Sequence, residues 1–421
     1  MKRVYICIDL KSFYASVECV QRNLDPFRTN LVVADPTRSQ STICLAITPA
    51  MKKLGVKNRC RIHEIPAHIP YITAMPRMQL YIDYSAAIYE IYLSFVSAQD
   101  IHVYSIDECF IDVTDYLKLY NLSPKEMAVK MMEAVYEKTG ITATAGVGDN
   151  LYLAKVAMDI VAKHVKDNIG ILDEMAYRKS LWTHMPLTDF WRIGSGTARR
   201  LAGYGIYTMG DIADVSLHSE ELLYRQFGID AELLIDHAWG YEPCRMEDIK
   251  NYHAQIHSLS SGQVLMRNYN EEEGEVIVRE MTELLVSDLV DKKLHTNSIT
   301  LYLSYDHKLE EGSSRGSVNL GYPTNSGRKI LAAVEKLYWS IVKTNTGIRR
   351  VNIICNKVTK ADYLQYDLFT DPIEEEKEQQ LQKAVLDIRK RYGKNAVLRG
   401  CNLYPCSNFR ERNQQIGGHR A

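Results

Sequence analysis

The sequence predicts an α/β (α+β) chain whose first half is an interrupted ferredoxin-like sheet, and three observations carry that expectation. Over residues 4–164, short apolar runs interchange with segments whose apolar residues recur at helical spacing. A sheet covered by helices requires that pattern. A run of short helices with glycine-rich turns follows to about Trp239-Gly240, and the α/β interchange then resumes over residues 250–358 as a second unit.

Residues 4–8 are continuously apolar, as in a central strand buried on both faces. The next helix has Ser12 at its N-cap position and Phe13, Val17 and Val20 as its core stripe. Residues 29–74, broken by Pro36, Pro49, Pro66 and Pro70, admit no long helix, whereas 78–96 are helical. Segments 101–106 and 109–113 read as a hairpin turning at Asp107-Glu108. Ser123-Pro124-Lys125-Glu126 is a capping box with proline at the first helical position, opening a helix to about Lys138. Ile141, Ala143, Ala145 and Val147 alternate as a strand, and Asp149-Asn150 caps a helix over 151–164. An interrupted ferredoxin-like sheet is the economical solution to this order. Further on, 253–264, 298–305 and 350–358 read as strands, and 271–291 and 327–344 as helices. An acidic linker, Glu374-Glu375-Glu376, leads into an amphipathic helix ending at Tyr392. The basic excess from Lys383 onward suits phosphate contact or a solvated helix face.

The 421 residues leave room for about three domains. A composition that is 46% hydrophobic and 24% charged is that of a globular protein with real cores. No apolar run is long enough to span a membrane, so no membrane association is expected. Asp9 and Lys11 interrupt the apolar N-terminus, which reads as a buried strand of a cytoplasmic protein and not as a leader. The nine cysteines form no CxxC pair and read as reduced thiols. A net charge of −1 does not advertise a nucleic-acid binder.

Asp9 ends the first strand, and Asp107-Glu108 sit where two paired strands turn. If those strands are neighbours, three carboxylates gather at one sheet edge. Such a cluster repels itself unless a cation joins it, and hard oxygen donors beside phosphate select Mg²⁺. Two such ions activate a 3′-hydroxyl and stabilise a pyrophosphate leaving group.

IDLKSFYASVE (8–18) and YSIDECFIDVT (104–114) closely resemble the two signature segments of Y-family translesion DNA polymerases, nearest to the bacterial UmuC-like and polymerase IV-like members. The similarity extends over nearly the whole chain. It implies a right-hand polymerase: a ferredoxin-like palm (1–28 and 75–178), small fingers (29–74), a helical thumb with a helix-hairpin-helix (179–240), an α/β little finger (241–358) and a C-terminal tail (359–421). Asp9 and Asp107 would bridge two Mg²⁺ ions, for which Mn²⁺ can substitute. Glu108 would hold the catalytic ion, and the Leu10 carbonyl would complete the nucleotide-side one.

Tyr14 points about 100° away from the core stripe. The resemblance makes it, flanked by Phe13, the steric gate that leaves no volume for a ribose 2′-hydroxyl. The family's fingers supply a Tyr-x-x-Arg segment to the triphosphate. Here the segment reads Pro49-Ala50-Met51-Lys52, so a point charge replaces a bidentate fork. Lys155 and Lys163, in AKVAMDIVAK, and Arg38, in DPTRSQ, complete the expected triphosphate contacts. The segment 191–197 resembles a helix-hairpin-helix in which Arg192, Gly194, Gly196 and Arg199 approach a DNA phosphate, with Arg192 replacing the usual first glycine. Gln365-Tyr366-Asp367-Leu368-Phe369 is similar to the pentapeptide that binds the bacterial sliding clamp (beta). Primer-template DNA and deoxynucleoside triphosphates are the expected substrates, with recombinase or UmuD-like accessory subunits as further candidate partners. Two rivals remain: a nucleotidyl cyclase-like palm enzyme, and a non-catalytic DNA-binding relative.

Overall fold

The structure, a computed structural model, describes residues 3–39, 41–306, 312–360 and 371–421. It divides into two compact units, Met1–Tyr252 and His253–Arg420. The first runs β1 (Tyr5–Leu10), α1 (Phe13–Val20), β2 (Leu31–Val33), β3 (Ala46–Ile47), α2 (Pro49–Lys53), β4 (Ile72–Ala74), α3 (Met78–Leu93), β5 (Ile101–Val103) and β6 (Glu108–Asp112). It continues through α4 (Tyr116–Tyr120), α5 (Pro124–Thr139), β7 (Ala143–Gly148), α6 (Leu151–Val156) and β8 (Ile169–Leu172). Five helices close the unit: α7 (Glu174–Leu181), α8 (Ser195–Ala202), α9 (Met209–His218), α10 (Glu220–Phe227) and α11 (Asp230–Trp239), with α12 (Met246–Asn251) after them.

The main sheet is ordered β5-β6-β1-β7-β8, so the apolar first strand is its centre. β1 pairs antiparallel with β6 and β7, and β7 runs parallel to β8, a strand the sequence reading did not anticipate. Tyr5, Ile6, Cys7 and Ile8 are all buried, as the unbroken run requires. The capping box before α5 forms as expected, Ser123 accepting from Glu126 N–H and the Glu126 carboxylate from Ser123 N–H.

Three local expectations are corrected. Ser12 does not cap α1: it is left-handed at φ 48°, which turns the chain from strand to helix in two residues, and its hydroxyl is buried without a partner. The hairpin turns at 104–107, because Leu10 N–H takes the Asp107 carbonyl at 2.9 Å and draws that segment toward β1. Glu108 is therefore the first residue of β6. The helix expected over 151–164 is regular only to Val156, then widens into a π-helical turn at Ala157–Val161 and tightens at Ala162–His164.

Residues 29–74 fold around a small sheet ordered β3-β2-β4, over a core that includes Val32, Ile47 and Met51. Residues 241–252, expected with the C-terminal domain, pack with the first unit. Met246 is buried with Tyr5, Cys7 and Phe110, and Lys250 Nζ donates to the Ala98 carbonyl at 2.9 Å.

The second unit comprises β9 (Ser258–Tyr269), α13 (Glu271–Asp291), β10 (Leu294–Tyr305), β11 (Ser313–Thr324), α14 (Gly327–Ile341), β12 (Ile348–Asn356), β13 (Thr359–Lys360), α15 (Pro372–Tyr392), α16 (Phe409–Asn413), β14 (Gln415–Ile416) and β15 (His419–Arg420). Its sheet is ordered β11-β10-β12-β9, and α13 and α14 supply Ile277, Met281, Leu285, Val334 and Tyr338 to one core with Leu301 and Ile353. β11 escaped the sequence reading because its alternation is carried mostly by serine and glycine. A cavity of about 430 Å³, partly open to solvent, lies between α13, α14 and α15.

Residues 371–420 are no tail. Glu374 and Glu375 form the first turn of α15, where the helix dipole favours them, and not a linker. Glu375 pairs with Lys329 at 3.0 Å. Four of the basic residues expected to suit phosphate hold this segment to its own unit: Arg389 and Arg399 meet Glu283 at 2.6 and 3.1 Å, Lys390 meets Asp291, and Arg412 donates to Gln263 and Ser261. Arg389 also donates to the Val397 carbonyl at 2.8 Å and lies over the Phe409 ring. Arg389→Ala would leave a largely buried Glu283 with Arg399 alone and free the Val397 carbonyl. We expect urea denaturation to show a loss of ~3 kcal/mol from this unit; an unchanged midpoint would refute the anchoring role.

Candidate active site

The register of β1 against β6 sets Asp9 directly opposite Glu108, with Asp107 one residue before the strand. Directly opposed residues share a face with Cβ atoms about 5 Å apart. Burial, then Asp107, then Glu108 push the Asp9 carboxyl up to about 7. Two carboxylates this close cannot both stay charged cheaply.

Glu108 is buried, and desolvation raises its pKa against the pull of Lys155. It accepts from Lys155 Nζ at 2.9 Å and from Cys7 Sγ at 3.2 Å. Lys155 also meets Asp159 at 3.1 Å. Lys155, expected second to Lys163 as a triphosphate contact, turns its ammonium into the acidic corner. It reaches there because Gly146 and Gly148 let α6 lie directly on β7: a Cβ at Gly146 would stand 2.1 Å from the Ala154 carbonyl, and one at Gly148 2.3 Å from Ala154 N. Among the described residues, no three His, Cys, Asp or Glu side chains form a finished metal cage. The donor set still fits a hard divalent cation, which would relieve the mutual repulsion of the carboxylate oxygens.

Lys52 on α2 and the exposed Lys163 lie close enough to influence one another beside Asp9. Burial and Lys163 lower the Lys52 pKa while Asp9 opposes them. Lys11, which the sequence reading passed over, belongs with them: it is partly buried, feels Asp9, and donates to Asn168. Its only signal was a cation two residues from Asp9. Arg38 is drawn to Asp35 at 3.6 Å.

Tyr14 is partly exposed and feels both Asp107 and Arg59, burial being the main cause of its raised pKa. Phe13, named beside it, is buried in the core, its ring centre 5.8 Å from that of Tyr14. In the 191–197 loop, Arg192 adopts φ 69°, the left-handed conformation that favours the glycine it replaces, and its guanidinium lies 5.4 Å from the centre of the Trp191 ring. A Cβ at Gly194 or Gly196 would meet only open space, so packing within the chain does not demand glycine there. Arg199 lies on α8, which these glycines open. The 365–369 pentapeptide lies outside the described residues.

The outward face of the second unit's sheet carries rows such as Arg315–Tyr302–Asn352–Gly262 and Ser313–Ser304–Arg350–Val264. The row beside them, Ser317–Thr300–Ile354–Ser260, is uncharged. Basic and acidic residues balance over 241–358, yet these three rows hold two arginines and no acid.

A ferredoxin-like sheet with an acidic corner and lysines converging beside it defines a palm-type polymerase fold. A model of the impB/mucB/samB family matches residues 8–159, and the model of that family's C-terminal domain matches residues 256–368. The chain is 30% identical to the UV-damage repair protein UvrX of Bacillus subtilis (strain 168), over 99% of this chain and 97% of that one. It is also 30% identical to DNA polymerase IV 2 of the same organism, over 99% of both chains. Among solved structures, a Y-family DNA polymerase chimera of Dbh and Dpo4 shares the fold with a TM-score of 0.62 at 21% identity, covering 85% of this chain and 99% of that chain. The chain belongs to the impB/mucB/samB family of Y-family DNA polymerases.

Proposed function

We propose that the protein is a template-directed DNA polymerase of the low-fidelity translesion class, extending a primer 3′-hydroxyl with deoxynucleotides. The observation that carries this reading is the pairing of Asp9 with Glu108 beside Asp107, in a corner that raises the Asp9 pKa to about 7. Asp9, Asp107, Glu108 and the Leu10 carbonyl would hold Mg²⁺, or Mn²⁺ in its place, which when bound acidifies the 3′-hydroxyl and neutralises the leaving pyrophosphate. Lys155 keeps the Glu108 carboxylate oriented. Lys52, Lys163 and Lys11 receive the triphosphate, and Tyr14 excludes a 2′-hydroxyl. The main sheet with α1, α3, α5 and α6 is the palm, β2–β4 with α2 the fingers, α7–α11 the thumb, and the second unit the little finger. Fingers this small leave little surface to inspect the nascent pair, which supports low fidelity.

The loop 191–197, with Arg192, Gly194, Gly196 and Arg199, and the arginine-bearing face of the second sheet suit DNA phosphates. A nucleotidyl cyclase would need neither. The 365–369 pentapeptide supports recruitment by the bacterial sliding clamp, and the family supports UmuD-like or recombinase accessory partners. The site of action is then the nucleoid; among the described residues no helix is long and apolar enough to cross a membrane.

Primer extension on templated DNA, with Mg²⁺ and with chelator, tests the reading: templated products that vanish with chelator are expected, and no extension by the wild-type protein would remove it. Lys52→Ala should raise KM for the deoxynucleotide about tenfold and alter kcat less, because the lost charge contact serves binding. An unchanged KM would take Lys52 out of the triphosphate site.

A further inference from the structure

The Tyr14 ring does not stand alone. It stacks on Tyr81 of α3, with ring centres 4.6 Å apart and planes inclined by 26°. Tyr81 is fully buried, and its hydroxyl donates to Glu18 Oε1 at 2.7 Å. Glu18, on α1 one turn beyond Tyr14, is itself fully buried. Arg77 grips it with a two-pronged fork, Nε to Oε1 at 3.0 Å and Nη2 to Oε2 at 2.7 Å, and Arg22 donates to it as well. These donors outweigh the burial that would otherwise neutralise it, and hold its pKa below the usual carboxylate value. A carboxylate fixed by this many charged donors cannot shift without losing several of them at once.

The same helix holds the acidic turn. Ser85, one helical turn after Tyr81, donates its hydroxyl to the Ile106 carbonyl at 2.6 Å, next to Asp107. One face of α3 thus backs the ring at residue 14 and steadies the turn that carries a carboxylate.

We infer that Tyr81, locked in place by Glu18 and Arg77, is a positioning residue that holds the Tyr14 ring against the sugar and so sets how strictly deoxyribose is preferred over ribose. This rests on the reading of Tyr14 as the sugar gate. A planar ring on the first turn of a helix has more than one staggered rotamer. A gate works only if its ring cannot rotate away when a 2′-hydroxyl presses on it. The stacked face of Tyr81 blocks that movement, and the Glu18 bond stops Tyr81 from yielding in turn.

The test is single-nucleotide incorporation of matched deoxy- and ribonucleoside triphosphates by the full chain opposite one template base, reported as the ratio of the two kcat/KM values. Tyr14→Ala should lower the ratio by about 100-fold. Tyr81→Leu should lower it about tenfold, chiefly through a gain with ribonucleotides, and Tyr81→Phe, which keeps the ring, should retain most of it. Tyr81→Leu added to Tyr14→Ala should lower the ratio no further, since the two act through one ring. A merely structural tie between α1 and α3 would depress both substrates equally. A low ratio for Tyr14→Ala with an unchanged one for Tyr81→Leu overturns the inference and leaves the gate standing. An unchanged ratio for Tyr14→Ala removes the gate itself. Should Tyr81→Leu fail to fold, Arg77→Ala, whose side chain is partly exposed, releases the Glu18 fork and should lower the ratio about threefold; an unchanged ratio there likewise overturns the proposal.

Discussion

Replacing Asp107 by alanine is expected to abolish primer extension, a loss on the order of 10³-fold or more, while primer-template binding survives. The substitution is structurally mild. What ties this turn to the central strand is backbone: Leu10 N–H donates to the Asp107 carbonyl at 2.9 Å, a bond that alanine keeps. The side chain accepts from the neighbouring Ser105 hydroxyl, at 2.6 Å. What disappears is a carboxylate in the corner that would hold Mg²⁺, along with part of the repulsion raising the Asp9 pKa. Binding should persist because the 191–197 loop and the arginine-bearing sheet face are untouched. Extension well above background by the variant, with DNA affinity intact, would show that Asp107 holds no catalytic ion.

The second large effect concerns stability and pH. Folding moves the Asp9 carboxyl from 3.8 to about 7, so between those limits the folded chain holds a proton that the unfolded chain has released. For this group stability is greatest at low pH, falls as pH rises toward 7, and is flat above it. Without metal, bringing wild-type protein from pH 8 to pH 5.5 should therefore gain roughly 2 kcal/mol from Asp9. Asp9→Asn should lose that response, melt higher than wild type at pH 8, and be inactive. Mg²⁺ should stabilise wild type more at pH 8 than at pH 5.5, because at low pH the ion competes with the proton. Thermal denaturation of both proteins at the two pH values, with Mg²⁺ or chelator, checks each point. Identical pH responses for wild type and Asp9→Asn would show that the acidic corner is not strained.

Much of the site was legible because it is local. The run at residues 4–8 could only be a central strand, so Asp9 had to lie at the end of one, and two short motifs with 85 residues between them named the rest of the corner. The capping box at Ser123 and Glu126 was equally readable, since its bonds close within four residues. The direction of Lys155 was not readable. On sequence it was one more cation near a phosphate motif, and only the approach of α6 over Gly146 and Gly148 turns it toward Glu108. The C-terminal segment misled for a related reason. A basic stretch behind an acidic run looks the same whether its charges face solvent or pair with Glu283 and Lys329, residues dozens of positions away.

From sequence alone came the mixed fold, the family, the three carboxylates and the aromatic residue beside them, because each depends on neighbours a few residues apart or on a motif read as a unit. Tertiary structure alone decided that the hairpin turns before Glu108, that Phe13 is core, and that Tyr14 rests on Tyr81 above a clamped carboxylate. Those outcomes hang on which distant groups compete for one hydrogen bond or one buried charge, and that competition is settled only when the chain has closed on itself.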